Sequence, residues 1–263
     1  MTNNDPTKNP DSYRVGLIVP SSNTTMETEI PEMLTRRQAL RPERFTFHSS
    51  RSRLQQVTPE ELARMVRDAD RCAAEVADAR VDVVAYACLV ALMAQGPGYH
   101  HQAEAAIGAV LEEAGSTAPV VTSAGALVDA LSAMGARSVS IVAPYMKPVT
   151  AMVVAYIEEA GFDVVDARSL EVSDNLAVGR IPSSTLLGAL DELDTTGADV
   201  VVLSACVQCP SLSAIPVAEA RVGLPVISAG TATVHQLLSK LGLDPIVPDA
   251  GSLLASPGLA GVA

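Results

Sequence analysis

Two of the four cysteines stand at matching places in the chain. Val83-Val84-Ala85-Tyr86-Ala87-Cys88 and Val201-Val202-Leu203-Ser204-Ala205-Cys206 are both short apolar runs that end in a thiol. A thiolate is a strong nucleophile, but a cysteine with its ordinary pKa of ~8.5 needs local donors or positive potential to ionise at neutral pH. One thiol on each side of a cleft would address the two faces of a planar carbon centre separately. A single cysteine is usually inert packing, but a symmetric pair argues for chemistry. Cys206-Val207-Gln208-Cys209 also has the C-x-x-C spacing of a redox motif or half a zinc site. No second such pair and no nearby histidine pair completes four ligands, so Cys209 is assigned to packing. Cys72, inside a long helical pattern, is assigned likewise.

The segment Pro20-Ser21-Ser22-Asn23-Thr24-Thr25-Met26-Glu27 runs from a strand end into a helix and is rich in hydroxyl and amide groups. Thr24 with Glu27 has capping-box spacing, and the same N–H groups suit an anion. Gly125 and Gly230 close equivalent Ser-Ala-Gly turns. Gly96-Pro97-Gly98-Tyr99-His100-His101 reads as a turn into a solvated helix start, and His101 with Glu104 is a weak metal signal. Neither G-x-x-x-x-G-K-[ST] nor G-x-G-x-x-G occurs, which argues against nucleotide binding.

The elements that must carry these residues alternate. Apolar runs at Val15–Val19, Val81–Ala85, Val120–Val121, Val139–Val142, Asp163–Val165, Asp199–Leu203 and Pro225–Ile227 read as strands buried on both faces. Amphipathic segments lie between them. One begins with the capping box Thr58-Pro59-Glu60-Glu61, then places Leu62, Met65, Val66, Ala69, Ala73 and Val76 at helical spacing. Three segment pairs repeat in order: Val15–Pro20 with Val139–Pro144, Val83–Cys88 with Val201–Cys206, and Pro119–Gly125 with Pro225–Gly230. The expectation is an α/β protein of two similar lobes, residues 14–135 and 136–254, each a parallel doubly wound sheet. A pseudo-two-fold would relate the lobes, the site would lie in the cleft between them, and a terminal helix or strand would be free to cross. Residues 1 to about 13 and those after Leu254 read as frayed ends.

Composition narrows the partners. Asp+Glu 30 against Lys+Arg 18 gives a net charge of -12, which repels phosphate backbones and anionic lipid, so neither nucleic acid nor a membrane surface is expected. The apolar run from Val83 to Ala94 is too short to span a bilayer. The first residues lack the apolar stretch of a secretory signal, and four cysteines do not make a disulfide scaffold, so a cytoplasmic location is expected.

VGLIVPSSNTTMETEIP (15–31), YACLVALMAQGPGYHH (86–101), APYMKP (143–148), LEVSDN (170–175) and SACVQCPSL (204–212) together resemble the maleate cis-trans isomerases of the aspartate/glutamate racemase superfamily. The resemblance runs from about Tyr13 to the last helix. It implies Cys88 as nucleophile and Cys206 as its partner across the cleft. It also implies that Asn23, Tyr145 and Asn175 bind substrate carboxylates, with Leu89, Val90 and Val207 beside them. The implied reaction adds a thiolate to maleate, rotates the resulting single bond and releases fumarate. That chemistry involves no redox step and requires no flavin, nicotinamide or metal. The resemblance further implies a small dicarboxylate substrate and a homodimer. Two other readings stand beside this one: a two-thiol racemase or epimerase of an acidic amino acid or hydantoin, which uses the same residues, and a non-catalytic two-lobe ligand-binding protein, in which the paired cysteines would have no purpose.

Overall fold

The computed structural model describes residues 11–256. The first lobe runs β1 (Ser12–Pro20), α1 (Met26–Arg37), β2 (Arg44–Ser52), α2 (Pro59–Asp78), β3 (Val83–Tyr86), α3 (Leu89–Met93), α4 (Tyr99–Glu113), β4 (Val120–Thr122) and α5 (Ser123–Ala133). The second repeats the theme with β5 (Ser138–Ala143), α6 (Lys147–Glu159), β6 (Asp163–Ser169), α7 (Asn175–Val178), α8 (Ser183–Asp191), β7 (Val200–Ser204), α9 (Ile215–Val222), β8 (Val226–Ser228) and α10 (Ala229–Lys240). A 3-10 turn at Ser252–Leu254 follows.

Each lobe has a four-stranded sheet, in the orders β2-β1-β3-β4 and β6-β5-β7-β8. All the pairings within them are parallel. The three repeated segments therefore occupy equivalent strands of equivalent sheets. The inner strands are buried along almost their whole length because helices cover both faces, which is why they read as unbroken apolar runs. Leu17, Ile18, Val83, Val84, Ile141 and Val202 are wholly inside, each such side chain contributing about 1.5–3 kcal/mol.

Several boundaries differ from expectation. The strand β2 has no apolar run to announce it. It lies at a sheet edge and alternates half-buried with exposed side chains, with Phe45 stacked on Tyr13 at 5.6 Å. Strand β6, the other lobe's equivalent edge, extends to Ser169 for the same reason. The amino-terminal segment is ordered from Ser12 because β2 pairs with it there. Residues 1–10 of that segment, and the tail beyond Ser256, lie outside the described residues.

The capping boxes are also built differently. Thr58 accepts from the Glu61 N–H, but the Glu61 carboxylate turns to the N–H groups of Gln55 and Gln56. At α1 the cap is Asn23, whose Oδ1 accepts from the N–H groups of Thr25 and Met26 at 2.9 Å, while Glu27 pairs with Arg51. A complete box forms at Ser228 with Thr231 instead. Gly125 and Gly230 sit inside the first turns of α5 and α10 rather than closing turns ahead of them. Helix α10 follows the last strand of the second sheet yet packs on α5, α1, β3 and β4 of the first.

Candidate active site

In a sheet of this order, chain direction reverses beside the first strand, leaving a crevice beyond the carboxyl ends of the two central strands. The first lobe brings the turn after β1 (Pro20 to Thr25) and the turn after β3 (Cys88) to that point. The second brings Tyr145 after β5 and Cys206 after β7. These converge on one cavity lined by Asn23, Cys88, Leu89, Val90, Tyr145, Asn175, Cys206 and Val207, together with Pro20, Leu54, Val57, Leu62 and Gln208.

Cys88 occupies a sharp corner between β3 and α3 with φ 127° and ψ 74°. A positive φ at a residue with a Cβ costs of order 1–3 kcal/mol and persists only where the surroundings enforce it. Here the Ala87 N–H is held by the Ile18 carbonyl at 2.9 Å, and the five-residue helix α3 is entirely buried. The corner turns the thiol into the cavity, where the residue is 7% exposed. Burial pushes this thiol up to about 12; the Ala91 N–H opposes the rise and Cys206 adds to it.

Cys206, 5% exposed, has a richer set of donors. Burial raises its pKa too, but the Tyr145 hydroxyl and the N–H groups of Gln208 and Cys209 all favour its thiolate. The Tyr145 phenol is held well above its usual range, first by burial and then by Cys206 beside it. It stays protonated and able to donate. Cys209 lies buried behind Cys206, its thiol pushed up mainly by burial and next to Ser204. Cys72 is fully buried in α2.

Two amides line the same cavity. Asn23 spends its oxygen on the α1 cap, which leaves Nδ2 buried with no hydrogen-bond partner. An unpartnered buried donor costs about 1–3 kcal/mol, and on a cavity wall it is a ready seat for a carboxylate. Asn175 begins α7, with Asp174 as its cap, and gives Nδ2 to the Ser22 hydroxyl at 2.6 Å. The apolar wall comes from Leu54 and Val57 of the β2–α2 connection, Leu62 in the first turn of α2, and Leu89 and Val90. That connection reaches the second lobe through an isolated antiparallel bridge, Gln56 to Asp174.

The cavity thus unites all eight side chains singled out from the sequence. Its other contributors gave little signal: Leu54 and Val57 lie beyond an unannounced edge strand, and Gln208 was overshadowed by the cysteines around it. The two histidines divide. His101 is exposed, whereas His100 is buried and bonds the Tyr156 hydroxyl of α6 across the lobes, so it is no solvated helix start. Glu104 does not meet His101 at a metal; it accepts from Thr122. Among the described residues no group of three or more His, Cys, Asp or Glu is placed to hold a metal ion. No helix among them is long and apolar enough to cross a membrane.

A model of the arylmalonate decarboxylase family matches residues 15–254. A maleate isomerase of Pseudomonas putida is 58% identical over 243 residues, which is 92% of this chain and 97% of that protein. The crystal structure of a cysteine-to-alanine variant of a Pseudomonas putida maleate isomerase with maleate superposes with a TM-score of 0.92 at 52% identity, covering 94% of this chain and 98% of the other. A cysteine-to-serine variant of the Nocardia farcinica maleate cis-trans isomerase, solved with a covalently bound succinylcysteine intermediate, gives 0.90 at 47% identity, covering 92% and 98%.

Proposed function

This chain belongs to the arylmalonate decarboxylase family, in its maleate isomerase branch, and we infer on that premise that it isomerises maleate to fumarate through a covalent cysteine–succinyl adduct. The observation that carries the reading is the cavity itself. Two buried thiols, one from each sheet, share it with an Asn23 amide whose N–H has no partner in the protein. Cys88 is the nucleophile and Cys206 the proton carrier, in a cleft between lobes of residues 14–135 and 136–254.

Rotation about a C=C bond becomes fast only when that bond is made single. Cys206 takes the Cys88 thiol proton, the Cys88 sulfur bonds to one alkene carbon, and the π pair moves onto the other alkene carbon and into the carboxylate attached to it as an enediolate. Cys206 then delivers that proton to the other alkene carbon, which gives the succinyl adduct and leaves Cys206 a thiolate again. Rotation about the new C–C single bond and reversal of these steps expel the sulfur and leave fumarate. No electron is gained or lost.

The electrostatics support this division of roles. Cys206, with three donors aimed at it, is the better-stabilised thiolate and the natural base. Cys88, with the Ala91 N–H alone, is the more basic sulfur, and nucleophilicity rises with basicity among thiolates. Neutral dipoles from Asn23, Asn175 and Tyr145 meet the carboxylates and the enediolate, so a protein of net charge -12 can hold a dianion. Leu89, Val90 and Val207 keep the reacting carbons dry. The protein acts as a cytoplasmic homodimer, a state supported by the family likeness and the composition, and light scattering on purified protein measures the dimer.

Incubation of purified protein with maleate, followed by proton NMR, tests the reading. Fumarate should accumulate. Untouched maleate, with solvent deuterium instead entering an amino acid or hydantoin, would make the protein a racemase.

A further inference from the structure

Gln208 is buried and lines the cavity, yet its side chain has no hydrogen-bond donor left to offer a substrate. Its Nε2 donates to the Ser22 carbonyl and to the Asn175 carbonyl, both at 3.0 Å, and its Oε1 accepts from the Thr24 N–H at 2.8 Å. Its own carbonyl accepts from the Thr25 hydroxyl at 2.6 Å, and its N–H is one of the donors on Cys206. One residue therefore ties together the turn that carries Asn23 in the first lobe, the start of α7 that carries Asn175 in the second, and the loop of Cys206. We propose that Gln208 is a positioning residue that sets the distance between the two carboxylate seats of the dicarboxylate site. The proposal rests on the assignment of Asn23 and Asn175 as those seats.

A second feature supports it independently. Gly179, just after α7, has φ -68° and ψ -3°, a conformation any residue adopts. Its backbone has no need of glycine, but its surroundings do. A Cβ there would lie 2.7 Å from Gln208 Nε2 and 2.7 Å from Thr24 Oγ1. The end of α7 is pressed against the clasp, and only the absence of a side chain lets the amide reach all three partners. Adding one methyl would drive Nε2 away from the Ser22 and Asn175 carbonyls without deleting any polar group.

The geometry has a specific consequence for recognition. Two carboxylate seats on separate lobes select a diacid by its span only if the lobes are held at a fixed separation, since preorganised donors favour the ligand that meets both. Loosening the clasp should weaken that selection more than it weakens either seat alone. A role confined to stability would lower the melting temperature and leave the selection intact.

The test is calorimetric binding of succinate and glutarate, which differ by one methylene, to the wild type, Gln208→Met, Gln208→Glu and Gly179→Ala, with maleate kinetics alongside. The wild type should prefer one diacid by about tenfold or more, the scale of one good charge-assisted hydrogen bond. In the variants that ratio should fall toward unity while kcat/KM for maleate falls by about tenfold or more, the scale of one misplaced donor. In Gln208→Glu the kinetic loss should shrink as the pH is lowered, because a protonated carboxyl recovers one donor. If Gln208→Met and Gln208→Glu do not fold, Gly179→Ala decides. An undiminished ratio in the variants that fold, or no preference in the wild type, overturns the proposal. Failure of the wild type to turn over maleate would instead count against the proposed function; the binding ratio is read without turnover and still decides this inference.

Discussion

In the proposed mechanism Asn23 performs two separable jobs, and substitution should pull them apart. Its Oδ1 caps α1 through the N–H groups of Thr25 and Met26, and its Nδ2 is buried without a partner in a residue that lines the cavity. Asn23→Ala removes both. Loss of a helix cap costs about 1 kcal/mol, which in a domain of 150–250 residues lowers Tm by roughly 2–4 °C. Loss of one preorganised donor to the enediolate costs about 2.7–4 kcal/mol, or 10²–10³ in kcat. Asn23→Asp keeps the cap, since a carboxylate accepts the same two N–H bonds at a helix start that favours negative charge. It turns the donor into an acceptor and sets a charge near the substrate carboxylate, a repulsion of about 4 kcal/mol at 4 Å with an effective dielectric of 20. The expected order of stability is therefore wild type, Asn23→Asp, Asn23→Ala. The expected order of activity is wild type, Asn23→Ala, Asn23→Asp. Thermal melts and the loss of maleate absorbance or its NMR signal measure the two series on the same preparations. Activity that simply follows stability, or an Asn23→Asp variant within tenfold of wild type, would refute the assignment of Nδ2 to the substrate.

Cys206→Ala should be severely slowed yet still add substrate, so intact-mass spectrometry after incubation with maleate should show a gain of the mass of maleic acid, mapped to Cys88. Cys88→Ala should neither turn over nor gain mass, and an adduct on Cys206 would reverse the roles. Glu29 of α1 accepts from the N–H groups of Ser211 and Leu212 beyond Cys206, and burial raises its carboxyl above 4.5 despite those bonds. A folded-state pKa above the unfolded one means the folded protein binds the extra proton, so this residue's contribution to stability is present below 4.5 and lost as pH rises through the raised value. The Tm difference between wild type and Glu29→Gln should accordingly shift against the wild type across that window; a constant difference would show that Glu29 does not titrate there. Activity should survive EDTA and dialysis, because the chemistry needs no electron carrier or Lewis acid. Activity lost on EDTA treatment and restored by zinc would contradict it.

Much of this protein was legible along the chain. Inner strands buried on both faces must be apolar throughout, so β1, β3, β5 and β7 were visible as runs, and the repeat of three segments exposed two similar lobes. Cys88 and Cys206 were legible because a thiol at the end of such a strand must lie at the mouth of a parallel sheet. Strand β2 was not, because it faces solvent on one side and has no apolar run to show, and of β6 only the first residues, Asp163–Val165, stood out. The capping of α1 by Asn23 rather than Thr24 was also hidden, since several residues of PSSNTT can cap and only the path of the turn selects one.

What lay beyond the sequence is whatever depends on two distant segments meeting. The raised pKa of Cys88 arises from its burial, the different environment of Cys206 from the Tyr145 hydroxyl after β5, and the Gln208 clasp from residues more than 180 positions apart. Local pattern reports how each segment prefers to fold and which of its faces avoids water. It carries no record of which polar group another lobe will bring against it, and in the proposed mechanism those pairings decide which thiol attacks and which one carries the proton.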